Sequence, residues 1–167
     1  MQVSVRSMAL HAATRGRKAG GKSDRPRPTL APSVRAFDRA LGGAIGDVIA
    51  RGDFTGAAGD TLILYPNAGA SRSKAAPARV LLVGMGAAKE LDRNALRRMA
   101  GAAVRRAAGS SIGSLAIAVP KLRGIGPAEA AQAIAEGLVL GSYRFDQYKA
   151  RGNGEMPRRA TLVVEPG

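Results

Sequence analysis

Residues 78–86, ARVLLVGMG, constrain the fold of this chain more than any other stretch. They form a continuous branched-apolar run with no polar alternation, the pattern of a strand covered on both faces of its sheet. A further buried run follows, SLAIAVP at 114–120, then a last strand, ATLVVEP at 160–166, and each is separated from the one before by a segment of helical period. Between the first two, Leu96, Met99, Ala100, Ala103, Val104 and Ala107 share one arc of a helix from about Asp92 to Ala108. A second helix opens at GPAEAAQ, with Pro127 near its start, where a missing N–H costs nothing. Upstream, TLILYP (61–66) is a short buried strand stopped by Pro66, and GDFTGAAGD before it is turn chemistry. From Pro32 to Arg51, Val34, Phe37, Leu41, Ile45, Val48 and Ile49 recur at helical spacing as one helix. Gly42, Gly43 and Gly46 interrupt it at about 1 kcal/mol each relative to alanine, so something packs closely there or the helix bends. Strands alternating with helices give an α/β protein, a three-layer α/β/α sandwich around a mostly parallel or mixed sheet.

The first 30 residues differ: they hold seven basic residues and one acid, Asp24. MQVSVRSMAL could supply one short strand, while residues 11–30, broken by Gly20, Gly21, Pro26 and Pro28, read as a flexible basic arm. An organelle transit peptide shares this composition, but GRKAGGKSDRPRP would not make the amphipathic helix such peptides use. Residues 31–167 then form one domain, since 167 residues bury one sizeable core and not two. With no cysteine and a single histidine, His11, thiolate chemistry, sulfur-ligated zinc and a histidine-centred relay have little to work with. No apolar run approaches the ~20 residues of a membrane-spanning helix. Twelve acids are scattered along the chain, and Glu90 with Asp92, the one close pair, reads as the acidic lead-in to a helix rather than as metal ligands.

The formal charge of +14 attracts polyanions without specifying one. Arg97, Arg98, Arg105 and Arg106 lie outside the apolar arc of their helix and, with the arm, are candidate nucleic-acid contacts, DNA included. Six aromatics leave little for base stacking. GMGAAK (84–89) invites a dinucleotide-loop reading, but Lys89 stands where a third small residue would be needed. A turn that needs a flexible backbone is the simpler account.

The last helix, reading AEGLVLGSYRFDQYK to residue 149, places Ile134, Leu138, Gly141, Phe145 and Tyr148 on one core stripe. Gly137 and Gly141, four apart, would let a neighbouring backbone approach closely. Leu140 and Tyr143 point elsewhere and are candidates for an interface.

AFDRALGG, ARGDFTGAAGDTLIL, ARVLLVGMGAAKELDRNALRRMAGAAVR and AEGLVLGSYRFDQYK, in this order and at these separations, resemble the N-terminal domain of the leucyl aminopeptidases, cytosol aminopeptidase family M17. The resemblance runs from about Leu30 to Gly167. It implies a macro-domain-like sandwich that flanks a catalytic C-terminal domain, absent from these 167 residues, in a cytoplasmic homo-hexamer. Two divalent metals, zinc or manganese, would sit in that missing domain and activate water against the first peptide bond. No catalytic or metal-binding residue of the family falls within this sequence, so the chain alone is expected to be inactive. Alternatives are a basic nucleic-acid-binding module, since some bacterial members of the family also bind DNA, or a macro-like binder of ADP-ribose or a nucleotide. One departure accompanies the resemblance: where the family places a second apolar strand and an acidic turn, this sequence has HAATRGRKAGGKSDRPRP, which puts the completeness of the sheet edge in doubt.

Overall fold

The computed structural model describes residues 7–14, 28–30, 32–66, 77–143 and 156–164. In chain order these form β1 (Ser7–Thr14), β2 (Pro28–Thr29), α1 (Pro32–Ala40), α2 (Ala44–Arg51), β3 (Thr61–Leu64), β4 (Arg79–Ala87), α3 (Arg93–Ala108), β5 (Ser114–Ala118), α4 (Pro127–Ser142) and β6 (Arg159–Val163). The sheet runs β3-β4-β1-β5-β6, with β2 paired to β1 alone. Strands β4, β1, β5 and β6 are mutually parallel, and β3 is an antiparallel edge on β4. The sheet is therefore mixed and mostly parallel.

Alternation along β4 assembles the layers. Val80 and Leu82 face one side, where Val34, Leu41, Ile45 and Phe54 from α1, α2 and the following loop meet them. Leu81, Val83 and Met85 face the other, against Leu96, Met99, Ala100 and Ala103 of α3 and Ala130, Ala133 and Ile134 of α4. Each fully buried aliphatic side chain contributes roughly 1.5–3 kcal/mol of transfer free energy, and β4 places four residues at 1% exposure or less. Burial on both faces is what the unbroken apolar run required.

Two expectations need correction. The segment from Pro32 to Arg51 is two helices. Gly42 and Gly43 take φ of 70° and 85°, a left-handed pair that ends α1 and redirects the chain. The second helix gains its cap from the first: Asp38 accepts from the backbone N–H of Ile45 at 2.8 Å and of Gly46 at 3.2 Å. The glycines bend the chain so that a carboxylate seven residues upstream can satisfy the orphan donors of α2. The arm expected over residues 11–30 is also interrupted, because β1 extends through His11 to Thr14. It lies between β4 and β5, with Ser7 opposite Arg79 and His11 opposite Val83, so the sole histidine belongs to an interior strand. A strand so poor in branched residues is held by neighbours on both sides rather than by its own propensity. Residues 15–27 and 67–76 lie outside the described residues.

Candidate interaction site along the α3–α4 seam

α3 begins where the acidic lead-in predicted: Asp92 is its N-cap and accepts from the N–H of Ala95 at 2.6 Å. Glu90 instead lies 3.9 Å from Lys89 in an exposed pair. Pro127 occupies the first turn of α4. The two helices run parallel, as their parallel strands require, and glycine sets how close they come. A Cβ on Gly137 would collide with the carbonyl and Cα of Arg97, and one on Gly141 would lie 2.5 Å from the Cα of Gly101. The glycine pair four apart is thus the contact line with α3.

Outside that line the helices are joined by ion pairs. Arg93 pairs with Glu129, and Arg97 donates through Nε to Glu136 Oε2 at 2.7 Å and through Nη1 to Asn94 Oδ1 at 2.8 Å. Gln132 donates to the other oxygen of Glu136 at 2.9 Å. These bonds, that from Gln132 first and that from Arg97 second, hold the Glu136 carboxyl below the usual carboxylate range.

The four arginines read as nucleic-acid contacts therefore divide. Arg97 is half-buried and committed to Glu136 and Asn94. Arg98, Arg105 and Arg106 are exposed. Arg97, Arg98 and Arg105 line a groove of about 460 Å³ together with Gly101 and Ala102 of α3, Gly137, Leu140 and Gly141 of α4, and Ala58 and Gly59 of the 52–60 loop. The Arg105 guanidinium lies over Gly101, where an added Cβ would be 3.2 Å from Nη1. Arg106 lies outside the groove lining.

Leu140 and Tyr143 are 70% and 77% exposed, and Val139, which the sequence reading passed over, is 70% exposed beside them. The three sit at i, i+1 and i+4 in the last turn of α4 and its C-cap, an exposed apolar cluster in which Val139 and Tyr143 share a face and Leu140 is turned about 100° from Val139. Counting the positions left over by the core stripe would have found Val139 as well. Phe145 and Tyr148, assigned to that stripe, lie outside the described residues, as α4 ends at Ser142.

The glycines of GMGAAK have a structural task. A Cβ on Gly84 would collide with the carbonyl of Ala57, and Gly86, at φ 83°, donates to the carbonyl of Gly56 at 3.0 Å. The 52–60 loop occupies that space, closed by Asp60 Oδ2 accepting from the backbone N–H and the hydroxyl of Thr55 at 2.8 and 2.9 Å. Among the described residues no three His, Asp or Glu side chains gather as metal ligands would, so they do not fit a two-metal centre.

A family model described as "Cytosol aminopeptidase family, N-terminal domain" matches residues 26–152. A probable cytosol aminopeptidase of Roseiflexus castenholzii is 38% identical over 114 residues, covering 68% of this chain and 22% of that protein. The chain thus spans about a fifth of the length of this relative. Among solved structures, a K354E mutant of tomato leucine aminopeptidase superposes with a TM-score of 0.67 at 20% identity, over 99% of this chain and 30% of that one. The macrodomain of Mycobacterium tuberculosis DarG superposes with a TM-score of 0.58 at 12% identity, over 99% of this chain and 92% of that one. At these identities the two superpositions speak to the fold, a macro-domain-like α/β/α sandwich.

Proposed function

Because the chain belongs to the cytosol aminopeptidase family M17, as its N-terminal domain, we propose that it is the supporting, non-catalytic part of an exopeptidase that removes N-terminal amino acids from peptides. The observation that carries this reading is the match of a domain-specific family model to 127 of the 167 residues. The hydrolytic chemistry then belongs to a C-terminal domain of the kind the relatives possess beyond the region matched here. Two divalent metals, zinc or manganese, would supply Lewis-acid chemistry there, held by residues outside the region matched here.

In this reading the residues on the page hold and present a surface. The packed α3–α4 pair fixes the orientation of Val139, Leu140 and Tyr143, three large apolar side chains that gain from being covered. We assign that patch to contact with the catalytic domain or with a neighbouring subunit of a cytoplasmic homo-hexamer. Burying the patch removes apolar area worth about 25 cal/mol per Å² from water, which favours a lasting contact over a transient one.

The test is an assay of the purified 167-residue chain with leucine amide and added zinc or manganese. No leucine release above the metal-only background is expected. Chelator-sensitive release that copurifies with the chain would overturn the reading.

A further inference from the structure

We draw no further inference here: the strongest candidate, the exposed apolar cluster of Val139, Leu140 and Tyr143 at the C-terminal end of α4, carries nothing beyond the contact already proposed for it, because nothing in the structure shows what covers it.

Discussion

At the residue scale, the strictest demands in this protein are made by glycines that face another backbone. Gly137 sits against Arg97 so closely that even a methyl group has no room, whereas Gly113 has nothing within 4 Å of its missing Cβ. Alanine is the better helix former by about 1 kcal/mol, so propensity alone would make Gly137→Ala stabilising. Overpacking outweighs it. Urea unfolding should show Gly137→Ala destabilised by about 1–3 kcal/mol and Gly113→Ala nearly neutral. Equal stability of the two would mean that α3 and α4 can separate at no cost. Asp38 makes the complementary point. Its side chain caps a helix to which it does not belong, and sequence reading had no signal for that, because capping patterns are sought within three residues of a helix start.

At the element scale, the α3–α4 pair is held by close backbone contact inside and by ion pairs outside. Glu136 joins the two, accepting from Gln132 on its own helix and from Arg97 on the other. Its carboxyl is lowered relative to the ordinary value, so the native state favours the charged form. Such a group contributes stability above the unfolded carboxylate pKa of about 4.3, and the contribution disappears as pH falls through the lower native value. Melting temperatures of the wild type and Glu136→Gln should therefore differ most near neutral pH and converge as the solution is acidified. A gap independent of pH would assign the role of Glu136 to shape rather than charge. The effect should be small, since the pair is partly open to solvent. The amphipathic arc of α3 was legible in advance, Leu96, Met99, Ala103 and Ala107 being buried as the period required. The division among its arginines was not, because the partner of Arg97 lies 39 residues away.

At the scale of the whole molecule, 26 basic residues against 12 acidic ones make self-repulsion the dominant long-range electrostatic effect. Raising salt from about 10 to 200 mM shortens the Debye length from about 30 Å to under 10 Å and should raise the melting temperature, although the same salt weakens the local Arg93–Glu129 and Arg97–Glu136 pairs. A fall in melting temperature would show that these pairs outweigh the net charge. The same balance bears on partners. A net charge of one sign favours encounters with acidic partners at low salt.

The sequence by itself determined the order of strands and helices from β3 to β6, the burial of β4 on both faces, the starts of α3 and α4 near Asp92 and Pro127, and, through an ordered set of motifs, the family. All of these are local or nearly local: periodicity, turn chemistry and capping act over a few residues. Tertiary structure alone decided that β1 lies between β4 and β5, that Asp38 caps α2, that the 52–60 loop fills the space beside Gly84, and that Gly137 and Gly141 join α3 and α4 and shape the groove beside them. Each of those depends on which backbone arrives from far along the chain, and the free energy of that meeting is written in the contact, not in either segment.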